Sequence, residues 1–305
     1  MKKSAPFPEL LSFKTEDGLD LPGLLYVPDR KTKRALLYLH GNGDSSILYK
    51  VAHNNIFAEI LGQKGVAYFP FNNRGGQFIR RFSIRKKGKT RYTLFGSAYE
   101  RIKDCVLDID AALSFLRSRG FTEFYLMGHS TGANKICVYN YHKPRNKIKK
   151  YVLSAGGDDT GHYYDSVGPA AFVKLVKKAG AYARSRKKYE LVTNLFYPVI
   201  SWQSLYDTIN PNGDYNIFPY NEYFNDLQIS RKKLFREFAE IKKPTLVVYG
   251  ESDEYLPRPV EDVMKALADH TVNEQTNFKI IKGANHSFGG QERELARTIA
   301  RWLTA

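Results

Sequence analysis

The sequence predicts an α/β protein with a mostly parallel central sheet, helices on both faces and one large insertion, and three observations carry that prediction. Apolar runs of strand length alternate with stretches of helical period from about residue 35 to residue 155. One of those strands, Phe124 to Met127, runs into Gly128-His129-Ser130-Thr131-Gly132 and directly on into a helix beginning Ala133-Asn134. Residues 158–242 then separate two successive core strands by far more chain than a crossover needs.

Taken in order, residues 7–28 read as an antiparallel hairpin at a sheet edge, turning at Glu16, Asp17 and Gly18. Ala35 to Leu39 is a continuous apolar strand of the kind buried on both faces, and it leads into His40-Gly41-Asn42-Gly43. Residues 49–62 read as helix and Gly65 to Phe71 as another buried strand. From Arg74 to Arg91 there are eight basic residues and no acidic ones, consistent either with steering of an anion or with a solvated loop. Residues 99–118 place Ile102, Val106, Ile109, Ala112, Leu113 and Leu116 on one helical face. After the helix that follows Ser130, Tyr151 to Ala155 is the next strand.

The rhythm breaks after Gly157. The domain expectation is a core made of residues 1–157 and 243–305, with residues 158–242 an inserted, mainly helical cap or lid. Helices are expected from Phe172 to Arg186, around Leu191 to Leu195 and from Trp202 to Tyr206. The aromatics Tyr197, Trp202, Tyr206, Tyr215, Phe218, Tyr220, Tyr223 and Phe224 either pack this insertion or line a pocket beneath it. The core resumes with strands at Pro244 to Tyr249 and Asn277 to Ile281, a helix around Val260 to Ala268 and a last helix from Glu292 to Trp302.

Chemistry concentrates where strands end. Gly-x-Ser-x-Gly between a strand and a helix is the nucleophile-elbow pattern, in which the serine stands at the tip of a sharp turn. A serine hydroxyl is a weak nucleophile near neutral pH and needs a base, which in turn needs an orienting group. His286, after the last strand, is the expected base for Ser130, and Asp253, after the preceding strand, the expected orienting acid. Glu251, Glu254, Asp158 and Asp159 are alternatives for the acid. Backbone N–H groups of Asn42 and Thr131 are the expected oxyanion donors, and His40 reads as a loop-bracing residue.

The four segments Leu39-His40-Gly41, Gly128 to Gly132, Gly250 to Asp253 and Gly283 to His286 together resemble the recurring landmarks of the α/β-hydrolase superfamily, over essentially the whole chain. Leu126 to Gly132, preceded by Leu116-Arg-Ser-Arg119, also resembles siderophore- and feruloyl-esterase-like hydrolases. The resemblance implies an α/β-hydrolase fold and an acyl-enzyme on Ser130 that water activated by His286 resolves. It leaves acyl transfer, peptide hydrolysis and carbon–carbon bond hydrolysis open, with a catalytically silent binding protein as the reading from another class. Serine at the elbow argues against the epoxide hydrolase and haloalkane dehalogenase branches, which use aspartate there.

Composition sets the remaining bounds. A formal charge of +16 attracts anions without constituting a nucleic-acid motif, and it brings anionic esters into the range of substrates to be tried. Cys105 and Cys137 read as buried thiols, no histidine or cysteine spacing suggests a metal, and no cofactor is expected. No apolar run approaches a membrane span, and Met1-Lys2-Lys3 opens no signal peptide, so a cytoplasmic protein is the expectation.

Overall fold

The computed structural model describes residues 7–86, 89–193 and 199–305. Ten strands and ten α-helices are found among these residues. In chain order they are β1 (Glu9–Lys14), β2 (Asp20–Leu25), β3 (Arg34–Leu39), α1 (Val51–Gln63), β4 (Ala67–Phe71), β5 (Arg80–Lys86), β6 (Lys89–Phe95), α2 (Cys105–Ser118), β7 (Glu123–His129), α3 (Thr131–His142) and β8 (Ile148–Ser154). Then follow α4 (Asp159–Val167), α5 (Pro169–Ala183), α6 (Trp202–Ile209), α7 (Tyr220–Phe224), α8 (Arg236–Ala239), β9 (Thr245–Gly250), α9 (Val260–Asp269), β10 (Thr276–Ile281) and α10 (Glu292–Thr304).

Eight strands form one sheet in the order β1-β2-β4-β3-β7-β8-β9-β10. The six from β4 to β10 pair in parallel, whereas β1 and β2 join antiparallel at the edge. The fully buried runs Ala35 to Leu39 and Ala67 to Phe71 have the apolar, two-sided character that a parallel sheet covered by helices requires. Helix α1 packs on α10 and α2 on α3. At the β1 edge, Phe13 meets Phe69, Phe71 and Phe115 with ring centroids 5.5 to 5.8 Å apart, closing the core where the sheet would otherwise end.

Residues 74–91 are not simply a solvated loop. Arg80–Lys86 and Lys89–Phe95 pair as a separate two-stranded antiparallel sheet, β5 against β6, with Phe82 buried and the Arg81 guanidinium 3.8 Å from the centre of the Tyr92 ring. Arg74, counted in the same basic run, is buried and bound to Asp108 and Asp17. The helix expected around Leu191 to Leu195 is absent where the chain is described, because Leu191 instead forms an isolated antiparallel bridge with Ser201; Asn194 and Leu195 lie outside the described residues.

The segment between β8 and β9 packs in two parts. Tyr163, Phe172, Ala179, Ile200, Trp202, Leu205 and Ile209 make a hydrophobic cluster of their own. Tyr215, Ile217, Phe218, Tyr220, Phe235 and Phe238 instead enter the main core. Cys105 and Cys137 are buried and free. Among the described residues no helix is long and apolar enough to cross a membrane.

Candidate active site

Ser130 is the single residue between β7 and α3, and it is held at φ 55° and ψ −128°. Such a conformation costs a non-glycine residue about 1–3 kcal/mol and persists only where its surroundings fix it. Here backbone closes in on both glycines of the turn. A methyl group at Gly128 would lie 2.1 Å from the Gly132 carbonyl oxygen, and one at Gly132 would lie 2.4 Å from that of Leu39. The Ser130 N–H donates to the Ser154 carbonyl at 2.9 Å, tying the elbow to β8.

His286 lies in the loop between β10 and α10. Its Nδ1 is 2.9 and 3.0 Å from the two carboxylate oxygens of Asp253, which lies in the loop after β9. The Asp253 side chain is fully covered, and one of its oxygens also accepts the Tyr255 N–H at 3.1 Å. A proton on Nδ1 donated to that carboxylate leaves the Nε2 lone pair free to accept one. Three of the four alternative acids are engaged by backbone N–H groups, and the fourth, Asp159, lines a cavity together with Ser130. Glu251 accepts the Gly283 N–H, Glu254 accepts the His286 N–H at 2.9 Å, and Asp158 caps α4 by accepting from Gly161 and Asn221. Burial pushes the Asp158 carboxyl up to about 7, against the pull of those two N–H groups.

The elbow histidine has a structural part. His129 Nε2 donates to the His286 carbonyl at 2.9 Å, and burial, with the neighbouring His286, lowers its pKa to about 3, so it stays neutral. His40 is also buried and neutral, lowered to about 4 by burial and by Lys135, and its Nδ1 donates to the Gly41 carbonyl at 2.7 Å.

Asn42 sits in the loop after β3, beside the elbow: a methyl at Gly41 would come within 3.0 Å of Ser130 Cβ. Two buried asparagines that sequence reasoning passed over hold this loop. Asn72 accepts the Ser46 N–H at 2.8 Å, and Asn54 donates to the Ser46 carbonyl at 2.7 Å. Thr131 is the first residue of α3, so its N–H has no intrahelical acceptor.

A cavity of about 460 Å³ opens onto Ser130, His286, Asn42 and Thr131 together. Its other walls include Asp44, Lys50, Asp159, His162, Tyr163 and Tyr255, none of which the sequence singled out as pocket residues. Of the expected pocket aromatics, Tyr197 lies outside the described residues. Tyr215 lines a small annex beside Asn42 rather than the main cavity. The other six are placed in packing positions. Trp202 stacks on Tyr182, Tyr206 lies against Gly180, Phe218 stacks on Tyr220, Tyr220 bonds the Tyr249 hydroxyl at 2.7 Å, and Tyr223 packs on Phe224 and Phe235. The physical reason is the split noted above: the second half of the insertion fills the main core, and only α4, α6 and Ile200 of the described insertion reach the cavity.

This topology, with a nucleophile-elbow turn between a central parallel strand and its helix, is the α/β-hydrolase fold. The chain belongs to the DUF1749 family, described as "Protein of unknown function (DUF1749)", whose model matches residues 90–304. Comparison with curated proteins finds no match. Among solved structures, Est1E from Butyrivibrio proteoclasticus with ferulic acid bound is similar at 16% identity, covering 95% of this chain and 97% of that one with a TM-score of 0.59. A soluble variant of monoglyceride lipase from Saccharomyces cerevisiae, in complex with a substrate analog, is similar at 16% identity over 97% of this chain and 95% of that one, with a TM-score of 0.60. The Pyrococcus furiosus esterase Pf2001 matches at 16% identity over 97% and 90%, with a TM-score of 0.57.

Proposed function

We propose that the protein is a serine-dependent carboxylic-ester hydrolase working through an acyl-enzyme. The observation that carries this reading is the placement of His286, its Nδ1 on the buried Asp253 carboxylate at 2.9 Å, in the wall of the same cavity that the strained Ser130 enters. Ser130 Oγ attacks the ester carbonyl carbon as His286 Nε2 takes its proton. The negative oxygen of the tetrahedral intermediate accepts from the N–H groups of Asn42 and Thr131, and Asp253 steadies the imidazolium. The intermediate collapses, the C–O bond to the alcohol breaks, and His286 returns the proton to the departing alkoxide. A water molecule then attacks the acyl-enzyme, giving its proton to His286, and the acid leaves as Ser130 regains its hydrogen.

Residues 158–242 act in this reading as a cap. Tyr163, Ser166, Ile200 and Thr208 from that segment face Ser130 across the cavity, whose volume suits a small or medium acyl or alcohol portion. Ester hydrolysis by the structurally similar Pyrococcus esterase and yeast lipase supports the choice of substrate class.

The test is hydrolysis of p-nitrophenyl esters from acetate to long acyl chains, beside Ser130→Ala, with fluorophosphonate labelling of both proteins. The expected result is hydrolysis and labelling by the native protein, with a loss of about 10⁴-fold or more in the variant. Undiminished activity in Ser130→Ala would sink the serine mechanism. No hydrolysis across the series, together with no labelling, would replace the enzyme by a silent binding protein.

A further inference from the structure

The two adjacent aspartates at the start of α4 differ in what they touch. Asp158 is used up by the fold, its oxygens accepting from Gly161 and Asn221. Asp159 faces the cavity that holds Ser130 and His286, and among the described residues it forms no direct ion pair.

The other charges in the cavity wall are accounted for. Lys50 and Asp44 pair with each other at 3.1 Å. Glu254 is engaged by the His286 N–H. His129 is neutral. Among the described residues two carboxyl groups of the cavity wall, Asp159 and Glu254, have no ion-pair partner, although the chain as a whole carries +16; Glu254 is tied to the His286 N–H, which leaves Asp159 as the one not bonded to the loop of the proposed base. Overall charge is then a poor guide to the substrate, because a fixed charge inside a partly desolvated cavity acts at contact distance whereas surface charges are screened within about 10 Å.

We propose that Asp159 selects the substrate of this cavity, and that the preferred ester carries an ammonium group placed to pair with that carboxylate. This rests on the ester-hydrolase reading above. Burial raises the Asp159 carboxyl above the usual range, and the nearby His162 and His286 only partly offset it. A substrate cation would supply what the protein withholds. A carboxylate at the first turn of a helix also favours the helix dipole, but that contribution falls on stability and not on discrimination between substrates.

The experiment compares three length-matched p-nitrophenyl esters at neutral pH: 6-aminohexanoate, heptanoate and the adipate monoester. The native protein is expected to favour them in that order by kcat/KM, with at least about a tenfold step from the neutral to the cationic ester. Asp159→Asn is expected to reduce the cation-to-neutral ratio about tenfold, and Asp159→Lys to reverse the order. A ratio unchanged in Asp159→Asn, even with all rates lowered, overturns the proposal and leaves the serine mechanism standing. A second measurement does not need turnover: calorimetric binding of 6-aminohexanoate and hexanoate to the Ser130→Ala protein, with and without Asp159→Asn. Preference for the amino acid that the Asp159 change removes supports the proposal even if no ester is hydrolysed. Equal binding of the two acids overturns it.

Discussion

His129 Nε2 donates to the backbone carbonyl of His286 at 2.9 Å, so the residue before the elbow serine holds in place the loop that carries the proposed base. The bond needs a protonated Nε2 and no charge, and burial lowers His129 to about 3. The sign follows from the reference state. An unfolded histidine titrates near 6.5, so at lower pH the unfolded chain binds a proton that folded His129 refuses, and stability is lost as pH falls from about 6.5 towards 3. His40, lowered to about 4, adds to the same slope. His129→Gln keeps an N–H donor and removes the titrating group. Urea unfolding between pH 6.5 and 4 is expected to show a pH slope flatter by about 1.4 kcal/mol per unit in this variant. Parallel slopes would mean that His129 titrates alike in both states.

Asp253 gives a second prediction, on rate. Asn at this position is nearly isosteric, but its amide can present N–H to His286 Nδ1 and so favour the tautomer whose Nε2 carries a proton and cannot accept one from Ser130. Asp253→Asn should lower kcat for an activated ester by about 10³- to 10⁴-fold while KM changes little. Loss of only a few-fold would move the orienting role to another carboxylate, with Asp159 the first to examine since it faces the same cavity.

Stability is predicted to hinge on a group far from the chemistry. Arg74 is bonded to Asp108 Oδ1 at 2.8 Å and to Asp17 Oδ2 at 2.9 Å, and the Asp108 side chain is wholly buried. Removing Asp108 leaves the buried Arg74 paired only with the more exposed Asp17, so Asp108→Ala should cost about 3–5 kcal/mol in urea unfolding. The double change Arg74→Met with Asp108→Leu should recover most of that loss, since two apolar side chains avoid the desolvation that the ion pair must overcome. If the double variant is as unstable as Asp108→Ala, the network matters through its hydrogen bonds to backbone, such as that from the Arg74 N–H at 2.8 Å, more than through charge.

Legibility in the sequence followed the range of the interactions. The strands at Ala35 to Leu39 and Phe124 to His129 could be read because a strand buried on both faces must be apolar throughout. Ser130, Asp253 and His286 could be singled out because each follows a strand at one sheet edge, and chain order alone places them there. The strand pair β5–β6 was masked by its own lysines and arginines, although Phe82 and Ile84 alternate with polar neighbours as a strand does. Helix α4 had a visible start, Asp158 capping the Gly161 N–H, but the aspartates invited a catalytic reading first. What could not be read was which aromatics face the cavity. Tyr163 and Tyr255 line it while Phe218 and Tyr220 do not, and that division depends on which part of residues 158–242 folds back into the main core.

The β9 terminus supplies the last prediction. Gly250 lies where the loop bearing His286 crosses the end of the strand: an added methyl would sit 2.4 Å from the Ala284 carbonyl oxygen and 2.5 Å from that of Asn285. Both obstacles are backbone, so neither can rotate away, and relief requires the loop to shift as a body. The same loop holds the Ser252 N–H to Ala284 carbonyl bond at 2.8 Å, which the shift would lengthen. Displacing the imidazole by about 1 Å is enough to cost about 100-fold in rate. Gly250→Ala is therefore expected to lower kcat about 100-fold, and to destabilise the protein by about 1–3 kcal/mol, the usual range for overpacking. Fluorophosphonate labelling rates at a temperature well below the unfolding midpoint separate the two effects. Slow labelling of a folded variant would place the loss at the His286 loop, whereas native labelling rates would show that the strand end absorbs the methyl without moving the base.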